Sequence, residues 1–112
     1  MRRDRERLQD ILDAIERIDR YAQRGRGAFE QDELVQVWIV HHLEIIGEAS
    51  RTITEELRAA HPEIPWPQIS AMRNILVHAY FGVDTNEVWD TVVRDLPVLR
   101  KNILAIQPTL KP

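Results

Sequence analysis

An all-α fold, four helices in succession, is predicted for this chain by three features of its sequence. Apolar residues recur at the 3,4 spacing of a helix face in one segment after another. Leu, Ile, Ala, Glu and Arg are abundant, while glycine occurs only four times in 112 residues, a balance that favours helix. The breaks in the apolar pattern coincide with glycine pairs and proline clusters.

The first helix is expected from Asp4 to about Gln23, where Leu8, Ile11, Leu12, Ile15, Ile18 and Ala22 form one stripe. Arg24-Gly-Arg-Gly-Ala28 then ends it, two glycines in three positions being a strong stop. A long segment follows from about Gln31 to Ala60, roughly 45 Å if it is one unbroken helix. Leu34, Val35, Val37, Trp38, Ile39, Val40, Leu43, Ile45 and Ile46 cover more than one of its faces. Four helices of this size can hardly bury two faces, so a subunit interface is expected there. Beyond Gly47, which marks either close packing or a bend, Ile53 and Leu57 continue a single stripe.

His61-Pro-Glu-Ile-Pro-Trp-Pro67 is not helical, because prolines 62, 65 and 67 restrict their predecessors as well as themselves. Pro67 suits the first position of a third helix running through Ile69, Met72, Ile75 and Leu76 to the neighbourhood of His78, with Gly82 as its stop. Asp84-Thr-Asn-Glu87 has the form of a capping box. It opens a fourth helix along Val88, Trp89, Val92, Leu96, Leu99 and Ile103, which Pro97 should kink or split. Residues 1–106 are thus expected as one domain and 107–112 as a frayed tail.

The chain is expected to be one complete domain, burying roughly 60–70% of the surface its unfolded form exposes. Neither a signal-peptide pattern nor an apolar run of about 18 residues occurs, so the expectation is a cytoplasmic protein that does not enter a membrane. The absence of cysteine excludes disulfides, thiolate metal sites and a cysteine nucleophile. Fifteen basic against eighteen acidic residues argue against a broad nucleic-acid-coating surface but leave room for a local basic pocket.

Chemistry concentrates in Arg73-Asn-Ile-Leu-Val-His-Ala-Tyr80. Arginine is permanently protonated and can only bind and stabilise negative charge. Histidine shuttles protons near neutrality. Together they suit a reaction at phosphate, one moving the proton and the other neutralising charge on the non-bridging oxygens. On an ideal helix Arg73 and His78 lie about 140° apart around the axis with about 7.5 Å of rise. They flank one cleft only if Arg73 curls over an intervening side chain and His78 sits in a loosened last turn. In the plainer alternative Arg73 pairs with Glu44 or Glu48 and His78 caps the helix end.

Several blocks in order carry a family resemblance: Leu43-Glu-Ile-Ile-Gly-Glu-Ala49, Pro62-Glu-Ile-Pro-Trp66, Met72-Arg-Asn-Ile-Leu-Val-His78, Tyr80-Phe-Gly-Val-Asp84 and Asp95-Leu-Pro97. Over nearly its whole length the chain resembles the HepT toxins of the HEPN superfamily, partners of minimal nucleotidyltransferase antitoxins in bacteria. The signature of Arg, four residues, His, one residue, Tyr is met by Arg73, His78 and Tyr80. The resemblance implies a homodimeric, antiparallel four-helix bundle with its Arg/His pairs near the dimer interface. It implies a toxin of a type VII-like system, a metal-independent endoribonuclease without cofactor. A 2′-hydroxyl would attack phosphorus, with His78 as general base or acid and Arg73 stabilising the transition state. Asn74 could orient the phosphate or the arginine. The resemblance further implies that the nucleotidyltransferase transfers AMP to Tyr80, filling the cleft and silencing the toxin.

Two other readings compete. His41, His42, Glu44 and Glu48 have partial metal-ligand spacing, but a di-metal bundle needs ligand pairs from several helices. Glu44 and Glu48 are better read as residues supporting Arg73 or His78, or as interfacial polar groups. The three tryptophans read as core or interface anchors, with Trp66 alternatively placed to stack on a base. At the level of function the alternative is a catalytically silent nucleotide- or RNA-binding helper that serves as substrate and partner of a nucleotidyltransferase.

Overall fold

The computed structural model describes residues 2–74 and 85–110. Among these, every regular element is helical, so the all-α expectation holds. Helix α1 spans Arg2–Ala22 and turns Leu8, Ile11, Ile15 and Ile18 into the core, each at most 1% exposed. Gly25 ends the connection with φ +92°, in the left-handed region that glycine adopts without strain.

The glycine-rich stop is shorter than its sequence indicates. Arg26–Gln31 forms a short helix, α2, with Gly27 inside it. Phe29, 1% exposed, anchors this turn in the core, and Arg26 braces it through Glu30 at 2.8 Å. Burial of one large aromatic ring outweighs the poor helix propensity of glycine here.

The long second segment is also two helices, not one. Helix α3 (Glu33–Arg51) starts at Asp32, whose carboxylate accepts from the backbone N–H groups of Leu34 and Val35 at 3.0 and 3.3 Å. Helix α4 (Glu55–Ala60) starts afresh at Thr54, which accepts from the Leu57 N–H. The break is held from outside. Asp4 of α1, only 1% exposed, accepts both the Thr54 N–H at 2.9 Å and the Thr54 hydroxyl at 2.5 Å. That contact joins the start of α1 to the end of α3, while the Trp38 indole N–H reaches the Arg17 carbonyl at the other end, so the two helices run antiparallel.

After the proline-rich connection, α5 (Trp66–Ser70) begins one residue before Pro67 and tightens into a 3₁₀ turn, Ala71–Asn74. The expected third helix toward His78 continues into the segment 75–84, which lies outside the described residues, as does Asp84 of the expected capping box. Helix α6 (Thr85–Asp90) passes through a wide π-type turn, Thr91–Asp95, into α7 (Leu96–Ile106). Pro97 has no N–H to give the carbonyl four residues back, and the Leu96 N–H bonds instead to Thr91, five back. The proline therefore widens the helix without severing it. Gln107 donates to Gln9 at 2.9 Å near the start of α1, and Arg100 interacts with Asp19 near its end, so α7 runs antiparallel to α1. No helix of the described residues is long and apolar enough to cross a membrane.

Candidate active site

Arg73 is fixed by three neighbouring positions of α3. Gly47 allows the closest approach: a Cβ there would stand 2.7 Å from the Arg73 backbone nitrogen and 3.0 Å from the Ser70 carbonyl oxygen. One turn on, the Ser50 hydroxyl donates to the Gly47 carbonyl at 2.9 Å and meets the Ser70 hydroxyl at 3.0 Å. Between them Glu48 accepts from the Arg73 guanidinium, Nη1 to Oε1 at 2.9 Å. Beneath the turn Ile69 and Met72 are buried, so the 3₁₀ geometry is pinned from the core side as well. Because Arg73 sits in this tighter turn, ideal α-helical angles do not describe its direction.

The same Glu48 oxygen lies 3.6 Å from Nη1 of Arg51. Both cations and the carboxylate are partly exposed, at 39% for Arg73, 49% for Arg51 and 54% for Glu48. Glu44 lies one turn before Glu48 and is partly buried, whereas Asn74 is exposed at the end of the 3₁₀ turn. His78 and Tyr80 lie outside the described residues. Sequence reasoning passed over Arg51. Its spacing of three from Glu48 on a helix was the available signal.

The histidine pair of α3 belongs elsewhere. His42 is buried, its Nδ1 is 2.7 Å from the Trp38 carbonyl, and its ring packs 4.3 Å from the Trp38 ring. Burial lowers its pKa below the usual histidine range, and the charges of His41 and Arg17 push the same way. Among the described residues no group of three or more His, Cys, Asp or Glu could hold a metal ion. Trp66 is 5% exposed with its N–H on the His61 carbonyl, which makes it a core anchor and removes it as a stacking platform. Trp89 packs against Phe29, and Trp38 stays 36% exposed beside Tyr21.

Among the described residues the domain is all-helical and presents Arg73, braced by Glu48, on a 3₁₀ turn. A family model described as "Ribonuclease HepT-like" matches residues 11–106, and the chain belongs to that family. It is 44% identical over 96 residues to "Probable ribonuclease HepT" of Thermococcus cleftensis, covering 83% of this chain and 86% of that one. A candidate RNase of Caldanaerobacter subterraneus is 36% identical over 107 residues, covering 95% and 96%. A Methanocaldococcus jannaschii protein named as a gamma-glutamylcyclotransferase and candidate RNase is 37% identical over 104 residues. That match takes in 92% of this chain and 47% of the longer protein. No solved structure matches the chain.

Proposed function

We propose that this chain is a metal-independent endoribonuclease, the toxin of a toxin–antitoxin pair, acting through Arg73 and His78. The observation that carries the reading is Arg73 itself: a permanent cation, partly exposed and held on a turn five residues before a histidine. Membership of the HepT-like ribonuclease family supports the choice of RNA as substrate. In the proposed reaction the 2′-hydroxyl attacks the adjoining phosphorus while His78 takes its proton. The 5′-oxygen leaves with a proton delivered by water or by the His78 imidazolium, giving a 2′,3′-cyclic phosphate. Arg73 binds the non-bridging oxygens, whose charge grows in the transition state. Asn74 orients the phosphate, and Glu48, with Glu44 one turn away, supports the arginine.

The working form is a homodimer of HEPN-type four-helix bundles. Leu34 at 81% and Val37 at 61% exposure form, with Trp38, an apolar strip on α3 that a second copy would cover. Tyr80 is proposed as the AMP acceptor for a nucleotidyltransferase antitoxin. Its adduct would place phosphate beside Arg73 and compete with RNA. Mass spectrometry of the chain co-expressed with such a partner should find AMP on Tyr80, and an adduct retained in Tyr80→Phe would refute that site.

A second reading, a silent nucleotide-binding helper, draws on the pairing of Arg73 with Glu48 and the net charge of −3. Rates on RNA separate the two. Arg73→Ala and His78→Ala should each slow cleavage by about 10²-fold or more with the fold retained. Cleavage surviving both substitutions assigns the activity elsewhere.

A further inference from the structure

We infer that Arg51 is a second RNA-phosphate contact, forming with Arg73 a two-cation site that Glu48 occupies until RNA displaces it. The inference rests on the ribonuclease reading for its substrate and on geometry for its residues. Two guanidinium groups converge on a single oxygen, Glu48 Oε1, Arg73 at 2.9 Å and Arg51 at 3.6 Å. Glu48 is thus a carboxylate shared by two cations, so displacing it would expose both to an incoming anion in a chain whose net charge is −3. The two cations come from different elements, the last turn of α3 and the 3₁₀ turn after α5. The backbone positions from which they project are held together by the Gly47 approach and the Ser50–Ser70 contact.

Arg73 gives Glu48 an Nη1 contact, and each guanidinium has five N–H donors, so toward the described residues both keep donors for an incoming anion. A phosphodiester offers the same acceptor chemistry as the carboxylate and brings neighbouring phosphates with it. Arg51 would take a phosphate next to the scissile one, adding affinity and register while Arg73 serves the reacting group. Because Arg51 also closes the C-terminal turn of α3, where a cation is favourable for structural reasons alone, the readout must separate charge contact from folding.

The experiment is binding of a short 2′-O-methyl RNA, which lacks the attacking hydroxyl, followed across a salt series for wild type, Arg51→Gln, Arg51→Lys and Glu48→Gln. Arg51→Gln should weaken binding by about tenfold and lower the slope of log affinity against log salt by about 0.7, the single-strand increment for one phosphate contact. Arg51→Lys should restore the slope, and Glu48→Gln should tighten binding. On unmodified RNA, Arg51→Gln should raise KM with little change in kcat. An affinity and salt slope unchanged in Arg51→Gln overturn the inference even while Arg73→Gln abolishes cleavage. If wild type binds the methylated RNA but leaves unmodified RNA intact, the ribonuclease reading fails and the Arg51 slope still decides the contact. If wild type binds no RNA, both fall.

Discussion

Gly47 sets how near α3 comes to the turn that carries Arg73. An added Cβ would meet the Arg73 nitrogen at 2.7 Å, closer than real Cβ contacts, and its neighbour there is backbone that cannot swing aside. Overpacking of this kind costs about 1–3 kcal/mol, against about 1 kcal/mol gained from the better helix propensity of alanine. Gly47→Ala should therefore lower Tm and slow cleavage by displacing the turn that carries Arg73. Thermal unfolding checks it, and a variant as stable as wild type would contradict the close approach. At this scale the sequence was informative in part. The proximity of Arg73 and His78 stood out because their chemistry is distinctive, and Gly47 was recognisable as either a contact or a bend. The choice of Glu48 over Glu44 as the arginine's partner was not legible, since both lie one turn apart on the same helix and only the placement of the 3₁₀ turn selects between them.

Element boundaries were legible where apolar periodicity met an unambiguous stop. Helix α1 ran as its stripe indicates, and the proline cluster before Trp66 excluded helix as expected. The failures have tertiary causes. The apolar stripe continues from Ile46 through Ile53 to Leu57, so nothing in its period betrays the break at residues 52–54. The break is stabilised by Asp4, fifty positions away. Thr54 followed by two glutamates was a helix-start signal hidden inside a longer pattern. Likewise Phe29 draws a glycine-containing stretch into a helix because the core has room for its ring. Pro97 by itself predicts a kink or a split, and the chain adopts a third solution, a π-type turn that skips the missing donor.

For the whole molecule, the strip at Leu34, Val37 and Trp38 is the feature a monomer explains least. Leu34→Glu combined with Val37→Glu should convert a dimer to a folded monomer in sedimentation. A wild-type chain running only as a 13.1 kDa species would refute the proposed dimer. With a net charge of −3, the proposed RNA binding must draw on a local cluster, Arg73 and its surroundings. The central claim is that these side chains cut RNA by internal attack without a metal. Its most direct measurement is the end chemistry of RNA incubated with the wild-type protein in excess EDTA. Cleavage should continue and leave 2′,3′-cyclic phosphate on the upstream fragments. Cleavage that stops until a divalent metal is added, or fragments ending in a 3′-hydroxyl, would contradict it.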